Sequence, residues 1–300
     1  MQAVRKALIP VAGLGTRVLP ASKAIPKEML PVVDKPAIQY VVEEAVSAGI
    51  KQVVLITRSG KEAIENHFDA HFELESVLAQ KGKTRTLESV TDMVPEDVEI
   101  VSVRQDQPRG LGHAVLCARH FCEDEPFALL LPDVLLFAQG DSDLRRMMGH
   151  YLRSGAGQVM VETVPAERVQ QYGIADCGSA PPDAHASAPI AALVEKPPPA
   201  RAPSNLAVVG RYILPPQVMP ILQRTQPGTD NEIQLTDALA ALLSDQPLHA
   251  YRMGGCSFDC GSKLGYLLAN LYVGLRHSET AAGLKAALTS MQNSSLQCTD

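Results

Sequence analysis

The first apolar run, KALIPVA at residues 6–12, shows no polar alternation and reads as a strand buried on both faces. After a loop the period changes. Ile38, Val41, Val42, Ala45 and Val46 recur at helical spacing, with Asp34 or Lys35 as the cap, Pro36 in the first turn and Gly49 as the stop. KQVVLIT (51–57) returns to continuous apolarity, and strand, helix, strand in that order implies a parallel pair with a helical crossover. The pattern repeats through a helix at 61–82, a strand at VEIVSVRQ, a helix at GHAVLCARHF and one strand through PFALLLPDVLL. GQVMVETV, GIADC, PIAALVEKP and NLAVVGRYIL read as further strands, and GSAPPDAHASAP between them as a solvated hairpin tip. NEIQLTDALAALLSD is a helix and LHAYRM a short strand. Leu264, Leu267, Leu268, Leu271 and Leu275 form one face of a tail helix, an apolar stripe expected in the core with an oligomer contact as the lesser alternative, and a second helix ends near Met291. The fold class is therefore α/β: a Rossmann-like mixed, mostly parallel sheet flanked by helices. A subregion of extra strands and a C-terminal helical tail complete a single domain over 1–300.

Composition narrows the partners. The 46% apolar fraction suits a sizeable core, and the net charge of −6 without a basic block argues against nucleic acid and anionic membranes. No stretch approaches the ~18 apolar residues of a membrane span. The first residues lack a secretory pattern, so a cytoplasmic location is expected. Six cysteines without CxxC spacing read as reduced thiols.

The candidate chemistry starts in AGLGTRVLPASKAIPKEMLP, residues 12–31. Glycines after a first strand let backbone N–H groups approach an anion. Thr16 and Arg17 follow Gly15, so the GK[ST] of a P-loop is missing, and no third glycine opens a dinucleotide-binding helix. Pro20, Pro26 and Pro31 argue against a helix, so the loop is expected to run extended over the sheet edge. Arg17, Lys23 and Lys27 on such an arm suit a polyphosphate, with a solvated basic loop as the plain alternative.

This stretch resembles the signature of the sugar-phosphate nucleotidyltransferases, G-x-G-T-R-x-x-P followed by P-K-x-x-L-P. The form KAIPKEMLP resembles the bacterial UTP–glucose-1-phosphate uridylyltransferases in particular. The likeness continues through IENHFD, RGLGHAVLCA, LPDVLL, YGIADC, VEKP, SNLAVVGRYIL, NEIQLTDAL and DCGSKLGY. It implies transfer of a uridylyl group from UTP to glucose 1-phosphate, giving UDP-glucose and pyrophosphate, with Mg²⁺ and no covalent intermediate. The alternatives are the same chemistry with dTTP and a non-catalytic sugar-nucleotide regulator.

By resemblance, residues to about 135 bind the nucleotide, about 136–260 bind the sugar, and about 261–300 are C-terminal helices. Arg17, Lys27 and Lys196 would be catalytic, and Ala12, Gly13, Gly15, Thr16, Glu28, Gln105 and Gly110 would bind the nucleotide. Gly173, Glu195 and Lys196 would bind the sugar, and Asp133 and Asp259 the metal. The Gln105 amide, able to donate and accept, suits a pyrimidine edge. Glu195 and Lys196 point oppositely on an alternating strand, so joint use of one ligand requires a bend, which Pro197 would help supply. Asn231 departs from the Asp common in the family, and a homo-oligomer, dimer or tetramer, is expected.

Overall fold

A computed structural model of the chain describes residues 2–295 apart from 123, 139, 179, 229 and 230. The opening strand β1 (Lys6–Pro10) leads into the glycine loop, which ends in a small ribbon of β2 (Pro31–Val32) and β3 (Lys35–Pro36). Helix α1 (Ala37–Ala48) starts directly from that ribbon. Pro36 is its N-cap and no side chain caps it, so neither Asp34 nor Lys35 fills that role, while Gly49 closes it at φ 108°. After β4 (Gln52–Thr57) the segment expected as one helix divides. Helices α2 (Glu62–Phe68) and α3 (Phe72–Gln80) break at 69–71, where the His71 ring accepts from the Leu74 amide as an N-cap. A further helix, α4 (Thr84–Thr91), precedes β5 (Glu99–Arg104) and α5 (Leu111–Cys117).

The run PFALLLPDVLL is also two elements, β6 (Phe127–Leu130) and β7 (Val134–Phe137), parted at Pro132–Asp133. Next come α6 (Asp143–Ser154), β8 (Gly157–Thr163), β9 (Gly173–Asp176), β10 (Ser187–Pro189), β11 (Ala192–Glu195) and β12 (Leu206–Leu214). Helices α7 (Val218–Arg224) and α8 (Leu235–Leu242), strands β13 (Leu248–Arg252) and β14 (Cys256–Asp259), and helices α9 (Lys263–Gly274) and α10 (Ala281–Ser295) finish the order.

The main sheet runs β10-β13-β8-β12-β6-β1-β4-β5, with β9 joining β11 to β12. Pairings are parallel through β6-β1-β4-β5 and between β8 and β13, and antiparallel on both sides of β12. Neighbouring residues of β1 serve opposite faces. Ile9 packs in the cluster with Ile38 and Val42 of α1, and Leu8 in the cluster with Val115 of α5 and Leu239 of α8. Burial on both faces is why these strands carry no polar alternation.

Two expectations fail at the edges. Ser187–Pro189 is a strand on β13, and His185 before it is bonded to buried Asp143, so this segment is anchored rather than a free tip. On α9, Leu264, Leu267 and Leu268 are exposed, and the helix buries Ala269 instead. Among the described residues no helix is long and apolar enough to cross a membrane. Cys117, Cys122, Cys177, Cys256 and Cys260 are free thiols, and Cys298 lies outside the described residues.

Candidate functional site

The glycine loop is not extended. It folds as three short 3-10 turns at Thr16–Val18, Ala21–Lys23 and Lys27–Met29, with a cis peptide at Leu19–Pro20. Single turns tolerate prolines that a continuous helix does not. Gly15 sits at φ 70°, its carbonyl accepts from the Ser22 hydroxyl at 2.7 Å, and a Cβ there would press on Ser22 and Lys27. This packing turns Arg17 and Lys27 towards the end of β6, while Lys23 stays exposed.

At that end the chain brings four expected residues together. Lys27 Nζ donates to Asp133 Oδ2 at 2.6 Å, and the Arg17 guanidinium bridges Asp133 Oδ2 (3.3 Å) and Asp259 Oδ2 (3.1 Å). Asp259 reaches the site because β14 lies antiparallel on β7, with Asp259 opposite Val134. Burial by itself would raise the Asp133 pKa, but Lys27 and Arg17 outweigh it and hold the carboxyl below its usual value. Burial likewise opposes charge on Lys27, yet Asp133 and Glu28 carry its pKa above the ordinary lysine value.

Sequence reasoning missed what holds Asp133 in place. Arg211 on β12 is fully buried and grips the Glu44 carboxylate of α1 through Nε and Nη2, at 2.7 Å for the shorter contact. The same guanidinium donates to the Leu131 carbonyl (2.9 Å) and the Val134 carbonyl (2.7 Å), the two residues that bracket Pro132–Asp133. A lone arginine inside VVGRYIL was the available signal, since a buried guanidinium needs a carboxylate and acceptors.

A cavity of about 800 Å³ runs from Arg17, Asp133 and Asp259 to Gly173, Glu195 and Thr236. Glu195 Oε2 accepts from the Thr236 hydroxyl at 2.7 Å, and its Oε1 lies 3.5 Å from Lys196 Nζ. The two neighbours converge because Lys196 itself is left-handed, at φ 43°, so the bend is at Lys196 and not at Pro197. Gly173 faces the same carboxylate, where a Cβ would lie 3.2 Å from Thr236 Oγ1 and 3.4 Å from Glu195 Oε2.

The remaining expected residues lie outside this cavity wall, beside the C-terminal ends of β1, β4 and β5. Ala12 is buried, and Gly13 and Thr16 are exposed. Glu28 is buried, with Oε2 accepting from Lys61 Nζ at 2.7 Å and Oε1 left without a partner. Burial pushes the Glu28 pKa up and the Lys61 pKa down. Lys61 was not foreseen, because nothing local marks it as a partner of Glu28. Gly110 requires its missing side chain: at φ 92°, a Cβ would stand 2.7 Å from Glu232 Cβ. Through that contact the 231–234 segment touches the Gln105–Gly110 loop, and it continues to Thr236 beside Glu195. Asn231 has φ 59°, a left-handed conformation that asparagine adopts more readily than most residues.

A Nucleotidyl transferase family model matches residues 6–273. A UTP–glucose-1-phosphate uridylyltransferase of Haemophilus influenzae is 50% identical over 290 residues, covering 95% of this chain and 98% of the relative. A UTP-bound UGPase from Acinetobacter baumannii is 53% identical with a TM-score of 0.90, covering 95% of this chain and 99% of that one. A UDP-glucose pyrophosphorylase complexed with UDP-glucose is 40% identical with a TM-score of 0.83, covering 91% of this chain and 100% of that one. The chain belongs to the nucleotidyl transferase family, in its group of UTP–glucose-1-phosphate uridylyltransferases.

Proposed function

We propose that the protein transfers the uridylyl group of UTP to glucose 1-phosphate, forming UDP-glucose and pyrophosphate. The observation that carries the reading is the convergence of Arg17, Lys27, Asp133 and Asp259 at one end of a cavity whose other end is Glu195 and Gly173. The names of relatives about half identical to this chain support the same activity, with UTP ahead of dTTP and ahead of a non-catalytic role.

In this reading a glucose 1-phosphate oxygen attacks the α-phosphorus of UTP. One P–O bond forms and the bond to the departing pyrophosphate breaks in line, so positioning and charge neutralisation do the work without a protein nucleophile. Arg17 and Lys27 hold the triphosphate and offset charge on the pyrophosphate. Lys196 neutralises the sugar phosphate, while Glu195 and the backbone at Gly173 take the hexose. Gln105, Gly110, Ala12, Gly13, Gly15, Thr16 and Glu28 form the nucleotide side.

Mg²⁺ fits the two carboxylates. The position that a Cβ on Gly261 would take lies 2.7 Å from Asp133 Oδ2 and 2.8 Å from Asp259 Oδ1 but closer still to Arg17 Nη2, so the guanidinium that now bridges the carboxylates would turn to the triphosphate when they hold the ion. Among the described residues no cluster of three or more His, Cys, Asp or Glu side chains could hold a metal, so substrate phosphates and water would complete the shell. Bound there, the ion supplies charge neutralisation for the attacking and transferred phosphates. The exposed Leu264, Leu267 and Leu268 suit the homo-oligomer expected of the chain.

The test is pyrophosphate release from glucose 1-phosphate and Mg²⁺ with UTP, dTTP, ATP or GTP. Release is expected with UTP above the others. No release with any triphosphate overturns the enzyme reading, and a preference for dTTP overturns the uridine assignment.

A further inference from the structure

The nucleotide side holds a short relay whose proton positions follow from its partners. Gln105 Nε2 lies 3.2 Å from the Gly110 carbonyl and 3.1 Å from His113 Nδ1. A carbonyl can only accept, so the amide end facing Gly110 must be the NH₂ end. An amide NH₂ can only donate, so His113 Nδ1 must be bare and the proton of the neutral ring sits on Nε2. That nitrogen faces Cys117 Sγ at 4.0 Å, one helical turn along α5. Burial raises the Cys117 pKa, which keeps the sulfur a thiol that can receive this weak contact. Both amide hydrogens of Gln105 are therefore directed inward. Its Oε1 receives no bond from the protein among the described residues and is not fully buried. The amide, expected from sequence to donate and accept, has only its acceptor free.

We propose that His113 is a specificity-determining positioning residue: by accepting from Gln105 it presents a lone acceptor to the nucleobase and so selects uracil over cytosine. This rests on the reading that Gln105 faces the base. Uracil offers N3–H between two carbonyls, which matches a single acceptor. Cytosine offers a bare N3 beside an exocyclic amine, and a fixed Oε1 sets acceptor against acceptor. Rotating the amide to present NH₂ to cytosine would turn Oε1 towards the Gly110 carbonyl and towards the bare His113 Nδ1. His113 thus supplies one of two barriers to that rotation, and Gly110 the other.

The experiment compares kcat/KM for UTP and CTP, and equilibrium competition of the two triphosphates, in the full chain and its variants. His113→Leu removes the acceptor, with His113→Met as a second form should the leucine variant not fold. His113→Asn keeps an acceptor near the Nδ1 position. The UTP:CTP ratio is expected to narrow roughly five-fold in His113→Leu, the worth of one neutral hydrogen bond, and to be retained in His113→Asn. Gln105→Leu removes the reader itself. A ratio that stays fixed in Gln105→Leu overturns the base-facing role of Gln105. A ratio that narrows in Gln105→Leu but stays fixed in a folded His113→Leu or His113→Met overturns the role of His113 alone. A loss of UTP turnover with no change in the ratio also overturns it, because a purely structural residue would act that way.

Discussion

Replacing Arg211 with methionine should separate the stability of the fold from the placement of Asp133. The change leaves Glu44, whose side chain is 10% exposed, without its cation, and it removes the donors to the Leu131 and Val134 carbonyls. Breaking a buried pair by removing one partner costs about 3–5 kcal/mol, because the remaining charge is left uncompensated. Each orphaned carbonyl adds about 1–3 kcal/mol if no water reaches it. Relaxation trims such sums to their low end, so a loss of about 5 kcal/mol is expected, a large share of the roughly 5–15 kcal/mol of a typical domain. Adding Glu44→Leu should restore part of that loss, since an apolar pair of similar volume can replace a buried ion pair. It should not restore turnover, because the two carbonyls bracketing Asp133 still lack their anchor, and a misplacement of about 1 Å can cost about 100-fold in rate. Urea midpoints with unchanged slope report stability, and pyrophosphate release reports turnover. A loss below about 1 kcal/mol in Arg211→Met, or parental turnover in the double variant, would refute the clamp.

Gly261→Ala puts a methyl where Arg17, Asp133 and Asp259 converge, and the folded chain should lose turnover while its melting curve stays near the parent's. An alanine variant that turns over normally would show that the carboxylates need not keep their spacing. His67 contributes a pH dependence. Burial lowers its pKa below the ordinary 6.5 while Nε2 meets Gln39 Oε1 at 3.0 Å, so the fold favours the neutral ring. Its stabilising contribution is complete above pH 6.5 and is lost as the pH falls from there through the lowered folded value. His67→Gln should flatten the drop in urea midpoint over that window, and an unchanged drop would place its origin elsewhere.

What the sequence made legible follows from where its signals are local. Burial of β1 and β4 on both faces leaves continuous apolar runs, and Gly49 stops α1 because its φ is positive. The break at Pro132–Asp133 was hidden inside a run that is apolar on both sides. The break in 61–82 carries no glycine or proline, only the His71 cap. Helix α6 was missed because Met147, Met148 and Leu144 sit among arginines and histidine, and α7 because Pro220 lies within it. At the site, Arg17 and Lys27 stood out as cations of the glycine loop, their roles and the metal roles of Asp133 and Asp259 were named from a resemblance, and the structure brings those four together. Their supports were not legible: Arg211 and Glu44 are separated by 167 residues, and Lys61 meets Glu28 only after folding.

The left-handed backbone at Lys196 sets two selections against each other. A non-glycine residue in that region costs about 1–2 kcal/mol, more than the roughly 0.5–1 kcal/mol glycine loses through its freer unfolded chain. Lys196→Gly should therefore melt higher than the parent while losing the ammonium 3.5 Å from Glu195. A library of variants sorted by melting temperature would drift towards glycine there, and one sorted by turnover would return to lysine. With Lys196 in its proposed role, heat resistance and catalysis compete at a single codon.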